Sequence, residues 1–216
     1  MKTRIKICGL SCEADVDAAV EAGADAIGFV FYPPSPRALS AQRAGELARR
    51  IPPFIDVVGL FVNESPEMVR SVCEQVPLNL LQFHGDETPD YCQGFARPWL
   101  RAARVRPGLD LVEFARNFQD ARGLLLDAFV DGYGGGGHVF DWTLIPRDLP
   151  GNLVLSGGLH AGNVGDAIRR VRPVAVAGLR LMISGGGCSG AGRVASSCRR
   201  RRLPARDGCR ARAGHD

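Results

Sequence analysis

From Arg4 onward the chain alternates short apolar runs with longer stretches whose apolar residues recur three and four positions apart. The short runs are "RIKIC" (4–8), "AIGFVF" (26–31), "VVGLFV" (57–62), "LNLLQFH" (78–84), "WLRAARV" (99–105), "GLLLDAF" (123–129) and "NLVLSG" (152–157). The helical stretches between them are "EADVDAAVEAG", "SAQRAGELARRI", "SPEMVRSVCEQV", "DLVEFARNF" and "NVGDAIRRV". In "SPEMVRSVCEQV", Ser65 reads as the N-cap, Pro66 as the first helical residue and Glu67 as a first-turn acid. Met68, Val69, Val72 and Val76 form its apolar stripe. Strands apolar on both faces, separated by helices at intervals of about 20 to 30 residues, predict a parallel sheet. Seven βα units and a possible eighth strand near 174–183 predict a (β/α)8 TIM barrel, an α/β fold.

At 216 residues the chain is long enough for one sizeable core, and a single barrel domain over 1–183 is expected. No window approaches 18 uninterrupted apolar residues, and "MKTRIKICGL" lacks a leader's apolar core. A cytoplasmic protein with no membrane partner is therefore expected. The net charge of +4 is unevenly distributed. Residues 178–216 carry nine Arg against two Asp, which leaves 18 basic and 21 acidic residues in 1–177. The body is mildly acidic, so a basic nucleic-acid surface is not a property of the whole chain. Seven cysteines include no C-x-x-C pair, and their odd number builds no disulfide framework. Reduced thiols, and no metal or cofactor, are expected.

In a barrel of this kind the chemistry sits where strands end. Cys8 closes the first strand and precedes Gly9. A thiol becomes a general base near neutral pH only as thiolate, which a cationic or dipolar surrounding favours; a lone Cys is otherwise a small buried hydrophobe. Asp127 ends the run "GLLLDAF", where a carboxylate is costly to bury unless it acts or caps the next loop. His84 closes the fourth strand before Gly85, either as a pocket residue or as a satisfied core histidine. Arg37 is carried by a loop stiffened by Pro33, Pro34 and Pro36, which suits delivery of one guanidinium to a carboxylate or phosphate. Two glycine-rich loops, "YGGGGHVFDW" (133–142) and "SGGLHAGNV" (156–164), follow the sixth and seventh strands. Such loops let backbone N–H groups converge on an anion, and barrels commonly bind phosphate after strands seven and eight.

Taken together, "KICGL", "GFVFYPPSPRALS", "VGLFVN", "LLQFHGDE", "LLLDAF", "YGGGGHVFDW" and "LSGGLHAGNV" resemble phosphoribosylanthranilate isomerase, a family of tryptophan biosynthesis. The segments occur in the family's order over about residues 3–176. The resemblance implies a (β/α)8 barrel and an Amadori rearrangement of N-(5-phosphoribosyl)anthranilate to 1-(2-carboxyphenylamino)-1-deoxyribulose 5-phosphate. It implies a cofactor-independent isomerase, monomeric or homodimeric, whose partner is a small phosphorylated substrate. By the same resemblance Cys8 is the general base and Asp127 the general acid. Arg37 holds the anthranilate carboxylate, Gly157 and Gly158 belong to a phosphate loop, and His84 lines the pocket. Gly136 and His160 depart from the family's usual residues at their positions.

After "RRVRPVAVAGL" the resemblance ends. "ISGG" (183–186) reads as a displaced remnant of the eighth-strand phosphate loop, with Ser184 and Gly185 facing the phosphate. Residues 184–216 hold only Val194 and Leu203 as sizeable aliphatics, and 27 of those 33 positions are Gly, Ala, Arg, Ser or Cys. That composition supplies no apolar stripe for a closing helix, and an unstructured tail is expected. With 25 Arg and two Lys the chain reads as GC-rich coding, which out of frame yields such residues. A frameshift between about residues 177 and 188 is the expectation. Three other readings compete. The Arg cluster Arg199–Arg202 could serve nucleic acid, which leaves the strand-end residues unexplained. The barrel could be impaired by its altered eighth unit. Another phosphosugar isomerase or an aldolase-type barrel could share the fold, although no lysine follows Lys6 to form a Schiff base.

Overall fold

The computed structural model describes residues 2–129 and 139–178. Eight parallel strands close into a barrel in sequence order: β1 (Arg4–Cys8), β2 (Ala26–Val30), β3 (Asp56–Phe61), β4 (Leu80–Phe83), β5 (Trp99–Val105), β6 (Gly123–Ala128), β7 (Leu153–Leu155) and β8 (Ala175–Ala177). The anticipated eighth strand is thus three residues long, and it closes the sheet. Arg4, Ile5 and Lys6 pair with Ala175, Val176 and Ala177, and β8 also pairs with β7. The tail 184–216, including Ser184 and Gly185, lies outside the described residues, as does most of the "YGGGG" loop.

Helices α1 (Glu13–Glu21), α2 (Ala41–Ala48), α3 (Pro66–Gln75), α4 (Pro89–Gln93), α5 (Leu111–Asn117) and α6 (Val164–Val171) cover the outside of the barrel. Their starts follow local chemistry. Ser40, Ser65, Thr88 and Asp110 each accept a backbone N–H from the first turn, with Pro66 and Pro89 at the first helical positions. The short α4 has the same Thr-Pro signature as α3 has Ser-Pro. Its five residues are too few to show an apolar stripe, so hydrophobic period alone passed over it.

Two apolar layers result from the two-residue period of the strands. Outward-facing residues such as Phe29, Phe61, Phe83 and Leu126 pack against Val16, Leu47, Val69 and Val72 of the helices. An aromatic row runs around this outer layer, with Phe31 stacked on Phe61 at 5.2 Å and Phe83 edge-on to Tyr91 at 5.5 Å. Inward, Leu100, Ala102, Leu125, Val154 and Ala177 form a separate small cluster. Continuing each strand by two residues from that cluster leads to polar groups: Asp127 beyond Leu125 and Ser156 beyond Val154. The lumen is apolar in its middle and polar where the strands end.

Candidate active site

Asp127 and His84 meet at the strand ends. Asp127 is 7% exposed and ends the β6 apolar run; His84, also 7% exposed, follows β4. The His84 Nε2 lies 3.2 Å from Asp127 Oδ2, and the His84 Nδ1 lies 2.9 Å from Gln82 Nε2. With the Gln82 amide donating to Nδ1, the ring proton sits on Nε2 and points at the carboxylate. Asp127 Oδ1 accepts the Ala128 N–H at 2.9 Å. Asp127 thus caps its own loop and also faces the lumen. Gly157 (φ +79°) is required beside it, because a Cβ there would stand 3.0 Å from Asp127 Oδ1 and 2.7 Å from Ala128 N.

A second group forms where β1 ends. The loop after β2 folds back on itself, with Ser35 N–H donating to Tyr32 O and Leu39 N–H to Val30 O. This return brings Arg37 across Gly9, where it donates from Nη1 to the Cys8 carbonyl at 3.3 Å. Gly9 (φ +80°) makes the crossing possible, since a Cβ would meet Arg37 Cδ at 2.7 Å. Cys8 itself is partly exposed, unlike Cys92, whose thiol burial pushes up to about 12. Beyond β7, Gly157 and Gly158 (φ +59°) form a turn that Asn163 ties down from both sides. Its Nδ2 donates to Gly158 O at 3.0 Å and its Oδ1 accepts His160 N–H at 2.8 Å. Thus Cys8, Arg37, His84, Asp127, Gly157 and Gly158 all stand at or just after strand C-termini.

Three residues with a part in this end of the barrel escaped the sequence reading. Lys6 and Gln82 lie two positions before Cys8 and His84, so strand alternation puts them on the same inner face. Glu87, 7% exposed, joins the loops after β3 and β4: it accepts Asn63 N–H and Gly85 N–H, each at 2.8 Å, and pairs with Arg101 at 3.3 Å. It thereby fixes the loop that carries His84. Nothing in "HGDE" itself tells that its last acid is buried, because Asn63 and Arg101, two of the groups it holds, lie on another loop and another strand. Among the described residues no cluster of His, Cys, Asp or Glu could hold a metal ion, and no helix is long and apolar enough to cross a membrane. A cavity of about 1050 Å³ opens beside α6, lined by Trp142, Arg169 and Val174 among others, and none of the strand-end residues lines it.

Comparison with known proteins gives a consistent picture. Residues 5–182 match the family model described as N-(5'phosphoribosyl)anthranilate (PRA) isomerase. The chain is 80% identical over 176 residues to an N-(5'-phosphoribosyl)anthranilate isomerase of Dechloromonas aromatica (strain RCB), covering 82% of this chain and 85% of that protein. It is similar in structure to phosphoribosyl anthranilate isomerase from Thermotoga maritima, with a TM-score of 0.77 at 40% identity over 89% of this chain and 93% of that one. A crystal structure of phosphoribosyl anthranilate isomerase in complex with reduced 1-(o-carboxyphenylamino)-1-deoxyribulose 5-phosphate matches at a TM-score of 0.74 and 39% identity, covering 91% of this chain and 94% of the other.

Proposed function

The chain belongs to the N-(5'-phosphoribosyl)anthranilate isomerase family, and from that membership we propose how its own residues carry out the isomerisation. Asp127 donates a proton to the furanose ring oxygen of the aldosylamine. The bond from that oxygen to C1' breaks, the ring opens, and the nitrogen lone pair forms the Schiff base. Cys8, as thiolate, removes the proton from C2', and the electron pair left behind moves into the enolamine. Tautomerisation takes up a proton at C1' and gives one up from the 2'-hydroxyl, so the reaction is proton-neutral and needs no redox partner.

The observation that carries this reading is the ordered contact from Gln82 through His84 to Asp127. It fixes the carboxyl on the inner face, where the ring oxygen of the aldosylamine is to be met. Arg37, held over Gly9, meets the anthranilate carboxylate as a forked donor. The turn at Gly157 and Gly158 offers backbone N–H groups to the phosphate. Ser184 and Gly185, proposed for the same phosphate, lie outside the described residues. The substrate is thus a small phosphorylated molecule, and the protein works in an aqueous compartment as a monomer or homodimer.

Turnover by the purified chain, followed as loss of anthranilate-type fluorescence, tests the assignment. Cys8→Ala and Asp127→Ala each reduce kcat by about a thousandfold or more, within the range general acid–base groups contribute. Retention of parent-level kcat in either variant removes the role given to that residue.

A further inference from the structure

The lumen holds a cation that the isomerisation as written does not use. Lys6 is 4% exposed, and its Nζ has no hydrogen-bond partner among the described residues. It pairs in register with Ala177 of the inner cluster, so its side chain is inside the barrel wall. Where it ends is set by the neighbouring strand. The point at which a Cβ on Gly28 would stand is 2.7 Å from Cys8 Sγ and 2.9 Å from Lys6 Nζ. The sulfur and the ammonium therefore share the one space that Gly28 leaves open.

We propose that Lys6 is a positioning residue whose buried ammonium is the countercharge that keeps the Cys8 sulfur anionic. The proposal rests on the reading of Cys8 as the base. A buried ammonium without a partner is a cost to the fold. That cost is offset only when a negative charge comes to lie beside it, and the thiolate is the charge that the site requires at this position. Composition agrees with a specific need for lysine. The chain carries 25 Arg and only two Lys; Lys2 lies exposed beside Asp25, and Lys6 is the buried one. A compact ammonium on a flexible stem fits the shared space, where a planar guanidinium with five donors does not.

Among the described residues, the strands that flank Lys6 leave Cys8 as the anionic candidate beside it. At this level β2 carries Ala26 and Gly28, and β8 carries Ala177, none of them titratable. Farther around the lumen, His84 and Asp127 are engaged with each other, and Arg37 lies across Gly9 and the Cys8 carbonyl. Arg37 adds positive charge on the same side and works in the same direction.

The test is the rate at which iodoacetamide alkylates Cys8 at pH 7, read by peptide mass spectrometry so that the other cysteines do not interfere. In Lys6→Met the rate falls by about tenfold or more, the effect of removing an opposite charge a few ångströms away, and raising the pH restores it. Cys92, whose burial pushes its thiol up to about 12, stays unlabelled throughout and serves as the internal control for folding. Gly28→Ala forces the sulfur and the ammonium to move while meeting only the ends of flexible side chains, so it folds and shows the same slowing. In Lys6→Met, kcat falls in parallel with the alkylation rate and KM changes little. Alkylation of Cys8 within twofold of the parent rate in folded Lys6→Met overturns the proposal. Full turnover by Cys8→Ala is a separate outcome that removes the base reading and leaves the alkylation result to stand by itself.

Discussion

Lys6 and Arg101 are each 4% exposed, Lys6 inside the lumen and Arg101 behind the barrel wall. Arg101 is surrounded by partners. It donates to the carbonyls of Phe83 at 3.0 Å, Ala102 at 3.1 Å and Gly85 at 2.9 Å, pairs with Glu87 at 3.3 Å and lies 4.9 Å over the Phe118 ring. Burial pulls its guanidinium below its ordinary value, and the Glu87 charge opposes that. Lys6 has none of these contacts. The difference separates two uses of a buried charge. Arg101 and Glu87 hold loops in place and offset each other's charge, with Arg101 Nε alone of its nitrogens left without a partner among the described residues, whereas Lys6 is held in waiting beside a group that can change its charge. A charge already neutralised by its scaffold cannot respond to chemistry.

The largest way to break the comparison is on the Arg101 side. Glu87→Leu leaves a buried guanidinium without its counterion and strips the acceptor from Asn63 N–H and Gly85 N–H. Removing one partner of a buried pair costs about 3–5 kcal/mol, so the melting temperature drops sharply and turnover falls with the fraction folded. Lys6→Met behaves in the opposite way: once the ammonium is gone the Cys8 sulfur can take up a proton, so no uncompensated charge stays buried, and the melting temperature does not fall. Thermal melts of the two variants side by side check both signs. A large destabilisation by Lys6→Met would make the two cations alike.

A middle-sized effect is expected at Gly157, where backbone and site chemistry coincide. The residue sits at φ +79°, and an added Cβ would meet Ala128 N at 2.7 Å as well as Asp127 Oδ1 at 3.0 Å. Because the nearer atom is backbone, something rigid must shift. Gly157→Ala costs about 1–3 kcal/mol in stability from strain at a special conformation, and kcat falls further than stability accounts for, because the displaced atom is the proposed acid. Far-UV circular dichroism and kcat measured at one temperature separate the two. Gly28→Ala, which meets only side-chain ends, should affect kcat with little loss of stability.

The same contrast explains what was legible in the sequence. Strands β1 to β7 could be read because a parallel barrel buries both faces of each strand, so apolar runs stand out against the helices. Cys8, His84 and Asp127 stand out as candidates because they close such runs, and the roles proposed for them come from the resemblance rather than from the pattern. Lys6 is not distinguished within "RIKIC", because nothing local tells that Ala26, Gly28 and Ala177 surround it. Gln82 and Glu87 were hidden for a related reason: their partners lie on other strands and loops, at sequence separations that periodicity does not reach. Strand β8 was visible only as a possibility, since three residues are too few to establish a period.

The smallest effect belongs to a third cation, at the surface, and completes the series. Arg43 of α2 pairs with Glu13 at 2.7 Å and with Glu46 at 3.1 Å, in the open. Its hydrogen bond holds the Glu13 carboxyl down to about 2 from an ordinary 4.5. A carboxyl whose folded value is depressed stabilises the fold above its unfolded value and loses that contribution as the pH falls through the folded one. The contribution of Glu13 is therefore complete above about pH 4.5 and fades toward pH 2. Because both groups are solvated, the gain is small and screened by salt. Glu13→Gln lowers the melting temperature slightly at pH 7 in dilute buffer, and the difference from the parent vanishes near pH 2 or on adding about 1 M salt, where the screening length is only a few ångströms. A difference that persisted unchanged in high salt would mean that Glu13 acts by packing against α2. It would then belong with Arg101, as a group fixed by its surroundings, and not with a surface pair.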